Sequence, residues 1–323
     1  MSPAPPGVAI GIDVGGTKIL GLLVGDGEEI VARAQVPTPH PEVPDLGSAL
    51  ADAIARLVGV IDDEVGSLAP VGIGVPGLVE GSSTLVFGPH LQSADRADLL
   101  SLLAVPLAGR AKLVANDADL AVLAEHRAGA AVGHDEVLLV TLGTGIGGGL
   151  ISGGSPMRGA GFAGEVGHMV LDVNGPWCPC GSRGCWERFA SGSGLGRIAR
   201  EAALADRLSS VVASVGGDPE AVRGEDVTSA ARAGDPEALV IFDEVGWWLA
   251  RGLANLISIL DPTCVIVGGG MAETAELLLA PAQRHLHALT EAAHVRVPLT
   301  LTSAHFGSDA GAVGAALAAR DAS

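Results

Sequence analysis

Apolar runs and glycine-rich turns alternate along this chain. Residues 8–12 (VAIGI) and 19–24 (ILGLLV) are short apolar runs that predict two strands, joined by the turn DVGGTK. The plan recurs where VLLVTL at 137–142 and GLI at 149–151 flank GTGIGG, a second glycine turn carrying Gly-Thr, so a weak internal repeat is expected. A proline-rich connection from Pro37 to Pro44 precedes a helical stripe of Leu46, Leu50, Ile54, Leu57 and Val58. VGIGVPG and KLVAND predict buried strands, the second running into the helix pattern DADLAVLAEHRAGA. Further on, EVGWWLARGLANLISIL predicts a long apolar helix, DPTCVIVGGGM a strand ending in three glycines, and DAGAVGAALAAR a closing helix of small residues. Strands that alternate with helices define an α/β architecture.

At 323 residues the chain is longer than one core usually organises, so two lobes are expected. The boundary falls near residue 115: a small α/β lobe over 1–115, a large one over 116–308, and the C-terminal helix of 309–323 packing back on the small lobe. Hydrophobic residues make up 48% and charged residues 17%, which suits a folded chain. Lys and Arg number 19 against 37 Asp and Glu, for a formal charge of -18, and no basic cluster breaks the acidity. Such a surface repels phosphate backbones, so no nucleic-acid partner is expected. The start, MSPAPPGVAIGID, lacks the basic and apolar stretches of a secretion signal, which predicts a cytoplasmic location. Residues 137–157 carry no charge, but glycines interrupt them throughout, so they read as buried strand and loop and not as a membrane span.

Candidate chemistry gathers in GEVGHMVLDVNGPWCPCGSRGCWERF, residues 164–189. Three of the four cysteines lie here, and His168, Cys178, Cys180 and Cys185 form H-x9-C-x-C-x4-C, a full ligand set for tetrahedral zinc. A closed Cys3His site leaves no position for water, so such a metal would fold the loop 168–185. A redox pair, disfavoured in a reducing compartment, and plain buried thiols are the alternatives. Cys264, in the apolar run CVIV, reads as core. Zinc in the loop would also fix the flanking carboxylates Glu165 and Glu187.

DVGGTK offers a carboxylate, backbone N–H groups, a hydroxyl and an ammonium within six residues. These are parts for cradling a polyphosphate and its magnesium, with Asp13 on the metal side, Gly15 and Gly16 in the turn, and Thr17 and Lys18 toward the oxygens. An ordinary Gly-Gly hairpin is the alternative. GTGIGG matches G-x-G-x-x-G through Gly143, Gly145 and Gly148, but no helix can start in the GGGLISGG that follows, and DVGGTK lacks the Walker spacing. Two hairpin turns facing each other fit better than either common nucleotide motif. Asp117 ends a strand and begins a helix, where the dipole favours its charged form; a helix cap is the alternative reading.

DVGGTK, AND at 115–117, LGTGIGGG at 142–149, GEVGH at 164–168, CPCGSRGCWE at 178–187, VIVGGGM and GSDAGAVGAA together resemble the ROK family of repressors and sugar kinases almost end to end, and within it the bacterial glucokinase branch. The resemblance implies a two-lobed actin/hexokinase-like fold, a duplicated ribonuclease H-like plan with Mg-ATP in the cleft between lobes. It implies that Asp117 is the catalytic base, that Asn116, Glu165, His168 and Glu187 bind sugar hydroxyls, and that His168 serves zinc with its other ring nitrogen. Asp13 to Lys18, with Thr144 and Gly145, would hold phosphates, and Gly268, Gly269 and Gly270 would pack near adenosine.

The expected activity is ATP-dependent phosphorylation of a hexose 6-hydroxyl, glucose first. His90 stands where the family usually carries an asparagine that contacts the sugar, which leaves open N-acetylglucosamine, N-acetylmannosamine, mannose, fructose or allose, and polyphosphate as donor. Ser308 replaces an asparagine in the SDAG segment. A non-catalytic sugar-sensing regulator is the other class; family repressors carry a helix-turn-helix ahead of the lobes, for which no room remains before a strand beginning by residue 8. The resemblance suggests a homodimer or homotetramer.

Overall fold

The computed structural model describes residues 2–3, 5, 7–88, 91–271 and 274–323. The chain divides into two compact units: residues 1–133, 149–164 and 309–323 form the first, and 134–148 with 165–308 the second. Where the sequence pattern puts a boundary near 115, residues 116–133 belong to the first unit. The reason is the helix that begins at Asp117, which packs on the C-terminal helix of the first unit.

In the first unit the strands are β1 (Ala9–Val14), β2 (Lys18–Val24), β3 (Ile30–Pro37), β4 (Val71–Val75) and β5 (Ala111–Asn116). Their order is β5-β4-β1-β2-β3; β4 runs parallel to β1 and to β5, and the hairpin partners β2 and β3 run antiparallel. Helix α1 (Leu46–Val65) covers one face with Leu50, Ile54, Leu57 and Ile61, all fully buried. Asp45 starts it by accepting a hydrogen bond from the Ser48 amide at 3.0 Å, and Gly66, in the left-handed region, ends it. The other face carries α2 (Asp117–Ala128) and the last helix, α7 (Ala310–Asp321).

The small residues of α7 explain its place. At Gly11 of β1 a Cβ would overlap the Ala312 carbonyl, and at Gly72 of β4 it would overlap that of Ala315. The helix backbone therefore rests directly on the sheet, a distance that only glycine in the strands and alanine or glycine in the helix permit.

The second unit repeats the plan. Strand β6 (Val137–Leu142) is followed by β7 (Ile146–Ser152), along which the chain leaves this unit at Gly149. Strands β8 (Cys264–Gly268) and β9 (Thr300–Ser303) lie on the other side, so the order is β9-β8-β6-β7 and then the short strand Ser155–Pro156. β8 is parallel to both β6 and β9. A first strand with its hairpin partner on one side and parallel crossovers on the other thus occurs in both units. The uncharged stretch 137–157 is strand and turn, and among the described residues no helix is long and apolar enough to cross a membrane.

Helix α3 (Glu187–Ala190) and α4 (Gly192–Leu204) follow the cysteine-rich loop. The long helix α5 (Pro236–Leu260), capped by Asp235 with proline in its first turn, packs against α6 (Ala275–Leu289). Trp186 is fully buried against α5, donating its indole N–H to the Trp248 carbonyl at 2.9 Å, and Phe189 stacks on Trp248 at 4.0 Å. These aromatics, at a cost of about 3–5 kcal/mol each if truncated, fix the end of the cysteine loop to the unit's longest helix.

Candidate functional site

In the first unit the turn between β1 and β2 is narrow. Gly15 donates to the Lys18 carbonyl at 2.9 Å, so Gly16 and Thr17 form an exposed tip. Thr38, which the sequence pattern did not single out, holds this turn in place. Its hydroxyl donates to the Gly15 carbonyl at 2.7 Å and its amide to the Thr17 carbonyl at 3.0 Å.

Asp13 lies one residue before the end of β1. It keeps some solvent contact, but the backbone of Gly311 lies against its carboxylate, a Cβ there falling 3.0 Å from Asp13 Oδ1. Burial, then the charge of Asp117, push the Asp13 carboxyl up to about 7; Asp309 adds to the rise and Lys18 opposes it. One oxygen of Asp309 is bonded by Arg33 from β3, while Oδ1 is buried without a hydrogen-bond partner among the described residues. Neither residue was picked out by its local pattern, although Asp309 lies within GSDAG.

Asn116 and Asp117 join β5 to α2. Asn116 Oδ1 accepts from the amides of Ala118 at 2.9 Å and Asp119 at 3.1 Å, and Nδ2 donates to the Gly77 carbonyl at 2.9 Å. One amide hydrogen of Asn116 is left for a ligand. Asp117 Oδ1 accepts from the Ala118 amide at 2.9 Å; the cap of α2 is Asn116, with Asp117 in the first turn, its charge acting on Asp13.

In the second unit, the turn Gly143–Gly145 is the meeting point of three segments. Gly143 donates to the Gly145 carbonyl at 3.0 Å, Gly192 at the start of α4 donates to the Gly143 carbonyl at 2.8 Å, and Met271 donates to the Leu142 carbonyl at 2.8 Å. A Cβ on Gly145 would strike the Glu187 carboxylate, so the glycine is what lets Glu187 approach the turn. Gly269, with φ of +88°, folds the loop after β8 back against Leu142. Thr144 stands exposed at the tip.

The proposed ligand set converges. The donor atoms of His168, Cys178, Cys180 and Cys185 all lie within 4.8 Å of one another. Cys180 and Cys185 sulfurs are 3.6 Å apart, and Cys178 Sγ is 3.8 Å from His168 Nδ1. Zinc–sulfur bonds of about 2.3 Å put sulfurs at tetrahedral corners roughly 3.8 Å apart, so the residues fit the ion. Burial, then the hydrogen bond to Glu187, push the Cys178 thiol up; burial also raises that of Cys185. For Cys180 burial acts upward, but bonds from the Ser182 backbone and the neighbouring thiols bring it down to about 7.

His168 has two sides. Nδ1 faces the cysteines and lies 4.0 Å from Glu187 Oε1, whereas Nε2 lies 4.0 Å from Glu165 Oε2. The imidazole thus stands between the two carboxylates, one ring nitrogen on the cysteine side and the other turned to Glu165. Cys264 is buried within β8. His90 lies outside the described residues.

Two α/β units, each with a glycine turn after its first strand, and a carboxylate at a helix start define the actin/hexokinase-like class of protein. A glucokinase of Streptomyces coelicolor is 38% identical over 321 residues, covering 98% of either chain, and one of Thermotoga maritima is 37% identical over 276 residues, covering 84% of either. The structure of a ROK family glucokinase from Streptomyces griseus in complex with glucose and AMPPNP superposes with a TM-score of 0.84 at 36% identity, covering 98% of this chain and all of that one. The ROK family model matches residues 9–322: the chain belongs to the ROK family.

Proposed function

We propose that this chain is a sugar kinase that moves the terminal phosphate of ATP to the 6-hydroxyl of a hexose, with glucose as the preferred acceptor. The observation that carries the reading is Asp117, a carboxylate held at the start of α2 by its own helix and beside Asp13, in a chain that matches glucokinases over its full length.

In this reading Asp117 accepts the proton of the sugar hydroxyl as that oxygen bonds to the γ-phosphorus and the bond to the β-γ bridging oxygen breaks, releasing ADP. A carboxylate is a weak base, which suffices where the transition state is loose and the proton leaves late, so positioning supplies most of the rate. Asn116 offers its spare amide hydrogen to a sugar hydroxyl, while Glu165, Glu187 and the Nε2 side of His168 take others. His90 is assigned to sugar choice.

Gly15, Gly16, Thr17 and Lys18, and on the second turn Thr144 and Gly145, receive phosphate oxygens through amides, hydroxyls and the ammonium. Gly268 to Gly270 pack near adenosine. Asp13 is the carboxylate that would face a magnesium ion bound with ATP, which would supply neutralisation of the phosphate charge. Zinc on His168, Cys178, Cys180 and Cys185 would close the loop 168–185 and so hold Glu165, His168 and Glu187 in one arrangement.

The test is an ATP-consumption assay with Mg2+ on the purified chain over glucose, mannose, fructose, allose, N-acetylglucosamine and N-acetylmannosamine, with polyphosphate as a second donor. Glucose with ATP is expected to give the highest kcat/KM. Absence of sugar phosphate from every pair would refute the kinase reading; a different winning hexose would keep the chemistry and turn attention to His90.

A further inference from the structure

We propose that Arg188, supported by Ser193, is a binding residue for the donor's phosphate chain beside the Thr144–Gly145 turn, a proposal that rests on the kinase reading above. Its position is the first argument. The start of α4 is sewn to the turn, Gly192 donating to the Gly143 carbonyl at 2.8 Å and Ser193 to the Thr144 carbonyl at 3.4 Å. Arg188 Nη1 donates to the Ser193 hydroxyl at 3.3 Å. The guanidinium therefore reaches the residue that itself touches Thr144.

Its unmet bonding is the second. A guanidinium has five N–H donors and no way to shed its charge. Arg188 is half-buried, its Nε is buried without a partner, and no ion pair joins it to a carboxylate among the described residues. In the same unit Arg197 pairs with Glu201 at 2.7 Å, Arg284 with Asp243 at 2.9 Å and Arg296 with Asp261 at 2.5 Å, while Arg183 directs its donors to the backbone carbonyls of Gly175 and Asn174. Among the described residues of this unit, Arg188 is the arginine whose buried Nε meets neither a carboxylate nor a carbonyl. Removing a cation from water without a counter-charge is costly, and an anionic ligand is what would offset that cost.

Its rigidity is the third. Arg197 donates to the Arg188 carbonyl through Nε at 3.4 Å and Nη2 at 3.2 Å, which anchors the backbone. Ser193 Oγ lies 3.0 Å from Ser191 Oγ, and Ser191 in turn bonds the Glu187 carbonyl and the Gly194 amide. The hydroxyl that meets the guanidinium is thus itself held. A planar fork beside a fixed hydroxyl suits phosphate oxygens, whereas a neutral sugar has no charge to match it.

The experiment compares wild type, Arg188→Gln and Arg188→Lys as full chains. Steady-state kinetics would be run with ATP varied at saturating glucose and then the reverse, with calorimetric titration of AMPPNP and Mg2+. Arg188→Gln is expected to raise the KM for ATP and the Kd for AMPPNP at least tenfold while the KM for glucose stays within twofold and Tm is kept. Arg188→Lys should fall between the two, since it restores the charge but not the fork. A donor KM within twofold of wild type would overturn the proposal, as would a joint rise of both KM values with a lowered Tm. If Arg188→Gln does not fold, Arg188→Lys decides by the same criteria. Should the wild type phosphorylate no sugar, the kinase reading fails on its own and the AMPPNP titration still judges Arg188: weakened binding in the variants supports it, and equal or absent binding in the wild type overturns it.

Discussion

Replacing Asp13 by asparagine should make the chain more stable at alkaline pH. The carboxyl is crowded by Gly311 and by the charges of Asp117 and Asp309, and its folded pKa of about 7 stands above the ordinary value of 3.8. Below about pH 4 both folded and unfolded chains hold the proton, so the group contributes nothing. Between about 4 and 7 the unfolded chain releases it while the folded chain keeps it, and stability falls as pH rises; above 7 the loss is complete. About three pH units correspond to roughly 4 kcal/mol as a ceiling, at about 1.36 kcal/mol per unit. Because Asp13 keeps some contact with water, about half of that is the figure to expect.

Asparagine has the same shape and no charge to bury. Urea unfolding of both chains in magnesium-free buffer, stepped from pH 5 to 8.5, should show the gain of Asp13→Asn growing with pH to about 2 kcal/mol and flattening above 7. The same change should abolish phosphate transfer, a trade of activity against stability common at strained sites. A gain that does not vary with pH, or a variant less stable than wild type at pH 8, would refute the assignment of a costly buried charge to Asp13.

Asp117→Asn keeps an oxygen for the Ala118 amide, so Tm and calorimetric glucose binding should persist while kcat drops by at least about a hundredfold; retained turnover would remove it as the base. Cys180→Ser should lose zinc by metal analysis, lower Tm and weaken glucose binding, and a strong chelator should do the same to wild type. Zinc absent from the wild type as purified would count against the ligand set.

The strands and turns were legible because their signal is local: VAIGID, VLLVTL and CVIV are apolar runs closed by glycine, and Asp45 and Asn116 cap helices within three residues. Element starts were less so. β7 begins at Ile146, ahead of the GLI run, because Gly147 to Gly149 carry no side chain to report burial. α5 begins at Pro236, ahead of the stretch the pattern picks out, because Leu239 and Val240 in its first turns are exposed and break the buried apolar stripe.

What periodicity cannot report is the partner of a face. That is why the packing of α2 on α7, which sets the boundary between units, could not be read from either segment alone. The same holds for the site. His168 and the cysteines declare themselves by spacing, but Thr38 under the Gly15–Thr17 turn, Asp309 near Asp13 and Arg188 beside Ser193 are ordinary residues until the chain brings them there.

The way the first unit is stitched together bears on its synthesis. A ribosome delivers β1 and β4 early, with Gly11 and Gly72 open on one face of the sheet, whereas the helix that seals that face, Ala310–Asp321, emerges last. Proteins usually gain by folding their leading domain while the rest is still being made. Here the leading unit must wait, with an uncovered sheet, until the whole intervening unit has been translated. A nascent chain that stops before residue 310 lacks the helix that rests on Gly11 and Gly72, so that face of its first sheet stays open there.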